Sequence, residues 1–277
     1  MDIFEQARLI VEGATIEDKL YPIKNTKLSN DSIKSKFLDY KIGKNPGRTK
    51  KIEFSSQQLK FPSRNKLATN DGAGLALHFF ANHELLAIEM MSLAILKFPV
   101  EGDRGDKLRG NLIATIRDEQ KHFSLYCERM KDFGIEFGDY PLNDFFWRQV
   151  HECSSVESFY AMMALTFESA NLDFAAHYRD LFANNKDHKT AGILSIVLED
   201  EIRHVNIGWD VLNKSKSDKK MWEYYLSLLP EKITPARAKG NQFLSELRLK
   251  SGMSKEFTES LKTYKGNFKV TQRKDWD

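Results

Sequence analysis

The sequence predicts an all-α protein built around a four-helix bundle, and three observations carry that prediction. Apolar residues recur at helical spacing through most of the 277 residues, with Pro and Gly gathered in a few punctuating stretches. The string Asp118-Glu119-Gln120-Lys121-His122 has an echo in Asp200-Glu201-Ile202-Arg203-His204, so Asp-Glu-x-[Lys/Arg]-His occurs twice, 82 residues apart. A further glutamate stands about one helix upstream of each copy: Glu84 precedes Glu119 by 35 residues and Glu168 precedes Glu201 by 33.

On a helix, positions i and i+3 share a face, so each Glu-x-x-His aims one carboxylate and one imidazole in the same direction. Gaps of this length let one helix run roughly 25 Å to a turn and let the next return to the same height. Two such halves on facing helices describe a dinuclear carboxylate centre, with Glu84, Glu119, His122, Glu168, Glu201 and His204 as its expected metal ligands. With 20 Glu and 7 His in the chain, roughly half an accidental Glu-x-x-His is expected, so two matched copies with upstream partners are not coincidence.

Taken in order, residues 2–13 read as a short amphipathic helix with Ile3, Phe4, Ala7, Ile10 and Val11 on one stripe and Gly13 as its stop. Residues 14–67 lose periodicity; Pro22, Gly43, Pro46, Gly47 and Pro62 mark a mostly irregular segment that wraps the bundle or reaches a partner. The first long helix starts at Thr69-Asn70-Asp71 and runs to about Lys97, before Pro99, with Leu77, Phe80, Ala81, Glu84, Ile88, Met91 and Ile95 inward. Glu89 is the rival first ligand, but its stripe includes Asn82 and Ser92, which favours Glu84.

The second helix spans about Asp103 to Asp132 and closes at Gly134, and a short aromatic helix follows around 143–153. The third begins at Ser154-Ser155, with Glu157 at capping-box spacing from Ser154, and carries Ala161, Leu165, Glu168, Leu172 and Ala175 on one face. The fourth opens near Asp187 and carries Leu194, Val197, Leu198, Glu201, His204 and Val205. Shorter helices are expected around 218–229, 236–250 and 254–263, then a loose basic tail from Lys265. The domain expectation is thus 1–67, 68–214 and 215–277.

Charge is unevenly spread. Residues 14–70 hold 13 Lys/Arg against 5 Asp/Glu and residues 231–277 hold 11 against 6, while residues 71–230 are acidic at 17 against 25. Basic flanks of this kind either pack on the acidic body or meet an anionic partner such as nucleic acid. No uncharged 18-residue apolar run and no signal-peptide pattern occur, so no membrane span is expected and the chain reads as cytoplasmic. Cys127 and Cys153 make no disulfide framework and read as small buried hydrophobes.

Carboxylates and imidazoles without thiolates suit iron or manganese better than structural zinc, and four glutamates balance two divalent ions. Asp118 and Asp200 either orient the histidines or form surface ion pairs with Lys121 and Arg203. Tyr126, one turn beyond His122, is a candidate redox-active residue or a core tyrosine. His83 points about 100° away from Glu84 and reads as a core or supporting residue, and Asn171 stands where it can hydrogen-bond a ligand carboxylate.

These residues carry a resemblance. The stretches from Phe79 to Met90, Asp118 to Phe123, Phe137 to Pro141, Phe167 to Asp173 and Asp200 to Val205 resemble the ferritin-like superfamily, and more narrowly a bacterial ferritin-like family of unknown function. The resemblance covers about residues 45–215. Its relatives, among them a tRNA-modifying di-iron hydroxylase, multicomponent monooxygenases, the ribonucleotide reductase small subunit and ferritins, imply an O2-activating oxidoreductase with two iron ions, or a manganese/iron pair. Such an enzyme would need an external electron donor and a small-molecule substrate or tRNA, and a homodimer is a further expectation. Iron storage or peroxide detoxification is the alternative class, and a binding protein that keeps the site for stability is the third.

Overall fold

The computed structural model describes residues 1–26, 43–57, 59–240 and 242–266. Among them every regular element is helical, apart from one isolated bridge between Phe54 and Leu142. By internal contacts the chain divides into two units, Met1–Val150 and His151–Asp277. That division falls inside the 68–214 span read from the sequence as one bundle.

In the first unit, α1 (Ile3–Glu12) is closed at its start by a capping box in which Asp2 accepts from the Phe4 and Glu5 amides and Glu5 reaches back to the Asp2 amide. Its stripe of Ile3, Phe4, Ala7, Ile10 and Val11 is buried, as the periodicity requires. A single turn, α2 (Ile16–Lys19), follows. The long pair α3 (Asn70–Lys97) and α4 (Gly102–Lys131) is joined by four residues and packs as a hairpin, with α1 laid on α3. Thr69 caps α3 by accepting from the Gly72 amide at 3.2 Å. Beyond α4, Gly134 takes φ +70°, a left-handed turn that favours glycine. The aromatic helix is shorter than its pattern suggests: α5 covers Phe145–Val150.

The basic segment is not a free arm where it is described; residues 27–42 and 58 lie outside the described residues, as does the tail from 267. Its described parts are tied into the first unit. Gly47 and Thr49 amides donate to the Val11 and Ala14 carbonyls, Trp147 Nε1 donates to the Lys44 carbonyl at 2.8 Å, and Arg117 and Gln120 of α4 donate to carbonyls of Ile23, Lys19 and Tyr21. Chain without periodicity still has backbone donors and acceptors to satisfy, and here a helix wall satisfies them.

In the second unit, α6 (Val156–Met162) is capped by Ser155, whose side chain accepts from the Ser158 amide; the capping-box start expected at Ser154 is therefore displaced by one residue. The helix expected to run evenly through Glu168 does not. Residues Met163–Glu168 form a π-helical segment, after which α7 (Ser169–Asn184) resumes. α8 (His188–Ser215) begins at the Asp187 cap and folds back on α7. Then come α9 (Met221–Leu228), a 3-10 turn at Pro235–Ala238, α10 (Ser245–Lys250) and α11 (Lys255–Thr263). The helix expected over 236–250 is interrupted at Gly240, where a Cβ would stand 2.6 Å from Asp173 Cβ; only glycine admits that approach.

α3 is long and apolar enough to cross a membrane, yet 83% of its most apolar window is buried in the fold. That is how the core helix of a soluble protein behaves.

Candidate metal site

Each unit carries one of the two motif copies. In the first, α3 brings Glu84 and α4 brings Glu119 and His122 into the core, at 5%, 1% and 0% exposure. One ligand atom from each of the three lies within 4.8 Å of the others. Glu119 Oε2 is 3.3 Å from His122 Nδ1, as the i, i+3 spacing requires.

The rival, Glu89, is also fully buried but is occupied elsewhere. Arg48 Nη2 sits 2.6 Å from its Oε2 and Lys19 Nζ 3.1 Å from its Oε1. Burial has depressed the Lys19 pKa, against the pull of Glu89. Neither cation was legible as a partner, because both come from the aperiodic N-terminal segment. Glu89 is therefore an ion-pair partner, while Glu84 is the α3 glutamate with a ligand atom within 4.8 Å of Glu119 and His122.

In the second unit, Glu168 ends the π segment and Glu201 and His204 lie one turn apart on α8, at 4%, 1% and 1% exposure. Glu201 Oε2 is 3.8 Å from His204 Nδ1, and ligand atoms of Glu168 and His204 lie within 4.8 Å of each other. Asn171, read from the sequence as a carboxylate partner, donates from Nδ2 to Glu201 Oε1 at 3.1 Å.

The π segment has no sequence signature; Leu165, Glu168 and Leu172 sustain an ordinary helical period through it. Its extra residue is held by Thr166, whose Oγ1 donates to the Ala161 carbonyl at 2.8 Å and lies 2.7 Å from Tyr225 Oη of α9. Gly208 of α8 packs so tightly here that a Cβ would stand 2.2 Å from Ala164 Cβ. π-bulges are frequent at functional sites, and Glu168 is the last residue of this one.

Among the supporting residues, Asp118 pairs with Lys121 at 3.9 Å and Asp200 with Arg203 at 2.8 Å, each along its own helix. Tyr126 is buried with its ring 5.6 Å from that of Phe80. His83 packs at 5.0 Å on Phe146, and burial lowers its pKa to about 4, so it is neutral at pH 7. His78, which the motifs do not mark, stacks on Phe137 and accepts from the Gly138 amide at 3.1 Å.

The donor set fits a metal ion. Two donors about 2.1 Å from one ion and at right to tetrahedral angles stand roughly 3.0–3.4 Å apart; the carboxylate–imidazole separation is 3.3 Å in the first unit and a wider 3.8 Å in the second. Thiolate is not on offer: burial pushes the Cys127 thiol up to about 12, and Cys153 is buried with Sγ 3.7 Å from Met162 Sδ.

Fold and site together define an all-helical protein with a buried Glu/Glu-x-x-His set in each unit, able to hold a metal ion. The chain belongs to the family described as protein of unknown function (DUF455), which matches residues 14–259. The match reaches beyond the 45–215 span of the motifs and takes in most of the N-terminal segment and the helices after α8 as far as the first half of α11. The chain is also similar to an uncharacterized protein of Haemophilus influenzae (strain ATCC 51907 / DSM 11121 / KW20 / Rd), 30% identical over 155 residues that make up 52% of each protein, so it spans about half the length of that relative. No solved structure matches it.

Proposed function

We propose that this protein is a ferritin-like, non-haem dinuclear metalloenzyme that uses O2 to hydroxylate or oxidise an organic substrate. Glu84, Glu119 and His122 would hold one metal ion and Glu168, Glu201 and His204 the other. The observation that carries the reading is the duplication: two buried carboxylate–imidazole sets of the same composition, each on a helical hairpin. Bound iron, or a manganese/iron pair, would supply the O2 chemistry and the oxidising power.

The chain's own groups have separate tasks. The four glutamates match the charge of two divalent ions, and in their absence the Glu84 and Glu119 carboxylates, whose ligand atoms lie within 4.8 Å, repel each other. Asn171 orients Glu201 through its amide, as supporting residues around metal ligands do. The apolar surroundings, among them Phe123 and Tyr126, keep water away, and Tyr126, one helical turn from His122, takes part in electron transfer. Electrons come from an external donor. Lys19 and Arg48 of the basic segment point inward to Glu89 and are not available to an anionic partner.

The test is elemental analysis of protein made in medium supplemented with iron and manganese. Two metal equivalents per chain are expected, with Glu119→Ala and Glu201→Ala each losing metal. Protein without transition metal would refute the proposal. Rapid iron oxidation under O2, with no organic compound consumed, would move the function to iron handling.

A further inference from the structure

The first unit holds a cavity of about 620 Å³ beside the N-terminal half of α3, within the size range of small-molecule sites. Three partly exposed phenylalanines, Phe54, Phe79 and Phe145, form its apolar walls. Each ring is fixed by its own neighbour. The Arg48 guanidinium lies 4.2 Å from the Phe54 centroid, Phe61 meets Phe79 at 5.3 Å, and Phe146 meets Phe145 at 5.5 Å. The floor is equally fixed: Ser55 donates its amide to the Leu142 carbonyl at 2.9 Å, and Asn143 accepts from the Asn82 side chain and from the Phe145 amide.

The polar groups on the lining are amides and hydroxyls, with one acid and one base. Asp144 and Arg148 are paired, Nε to Oδ1 at 3.2 Å, so the cavity has no unbalanced charge with which to select an ion. Rigid aromatic walls beside neutral hydrogen-bonding groups favour a flat ring that both stacks and hydrogen-bonds. We propose that this cavity binds a neutral, planar heteroaromatic molecule of two fused rings.

As a binding site the cavity stands alone; its role as the substrate site rests on the oxygen-activating reading above. The link is α3 itself. Phe79 and Glu84 are five residues apart, about 7.5 Å of helix rise and roughly 140° around the axis, so the cavity and Glu84 lie on different faces of α3 and share only the helix.

The experiment is calorimetric titration and saturation-transfer NMR of the full-length protein with quinolin-2-one. Its saturated analogue decahydroquinolin-2-one and the anion naphthalene-2-sulfonate serve as comparisons. Quinolin-2-one is expected to bind at least tenfold more tightly than either. Phe79→Leu and Phe145→Leu, which keep apolar volume but remove the π-face, are expected to weaken it roughly tenfold, with thermal unfolding confirming that both variants fold. Equal binding of the saturated analogue, tighter binding of the sulfonate, unchanged affinity in both variants, or no binding up to the solubility limit would each overturn the assignment. Glu119→Ala separates the two claims: it is expected to lose metal and keep quinolin-2-one. Metal-loaded protein that ignores quinolin-2-one would remove the cavity's role and leave the metal reading intact.

Discussion

Arg248 meets Asp173 at two points, Nη1 to Oδ1 at 2.8 Å and Nη2 to Oδ2 at 2.9 Å, and neither side chain has any exposed surface. The pair fastens α10 to α7. Arg248 also donates to the Ser169 and Ala238 carbonyls, while Asp173 accepts from the Gly240 and Leu244 amides. Ser169 directly follows Glu168, so this knot also fixes the chain where the second unit's carboxylate leaves the π segment.

Arg248→Met leaves a buried carboxylate without its cation and is expected to cost about 3–5 kcal/mol in urea unfolding. Exchanging both partners for apolar residues often recovers such a loss. Here Arg248→Met with Asp173→Leu is expected to recover only part, because three carbonyls lose the Arg248 donor and two amides lose the Asp173 acceptor as well. Full recovery would show that the backbone contacts carry no weight.

Glu89→Gln separates the two buried glutamates of α3. Losing the carboxylate deprives Lys19 and Arg48 of their counter-charge, and a loss of about 3–5 kcal/mol is expected. Metal content is expected to stay at the wild-type level, whereas Glu84→Gln lowers it. Elemental analysis of both variants beside their unfolding curves checks this, and metal loss in Glu89→Gln alone would reverse the assignment.

His78 makes a prediction about acid. Burial, opposed by Asp139, depresses its pKa from 6.5 to about 4, and its Nε2 accepts the Gly138 amide hydrogen, a role open only to the neutral ring. As pH falls below 6.5 the unfolded chain takes up this proton before the folded one does. The stability it contributes is therefore complete above pH 6.5 and is lost as pH falls towards 4, on the order of 3 kcal/mol. Unfolding free energies at pH 7, 5.5 and 4.5 are expected to fall less steeply for His78→Gln than for wild type. Parallel slopes would mean that His78 protonates in the folded state.

Helical content, the helix starts at Thr69 and Asp187, and the buried faces of α3, α4 and α8 were all legible in the sequence. Caps and amphipathic stripes are local, and a period of 3.6 residues repeated over many turns leaves little choice of conformation. Pairing of each histidine with its glutamate was legible for the same reason, since three residues on a helix fix a direction. Asn171, one turn from Glu168, stands where a carboxylate partner is expected, and its amide donates to Glu201 on the next helix.

Tertiary structure decided the contacts whose partners lie far apart in sequence or come from aperiodic chain. Glu84 and Glu89 are alike in type and burial, and only the arrival of Lys19 and Arg48, 70 and 41 residues away, tells them apart. Asp173 and Arg248 are likewise 75 residues apart. The π segment has no local signal because one extra residue in a helix is settled by packing, through Thr166, Tyr225 and the space that Gly208 leaves, while the apolar pattern runs on unchanged. Local propensity acts over one or two turns; burial of charge and close packing act over the whole fold, and they placed these residues.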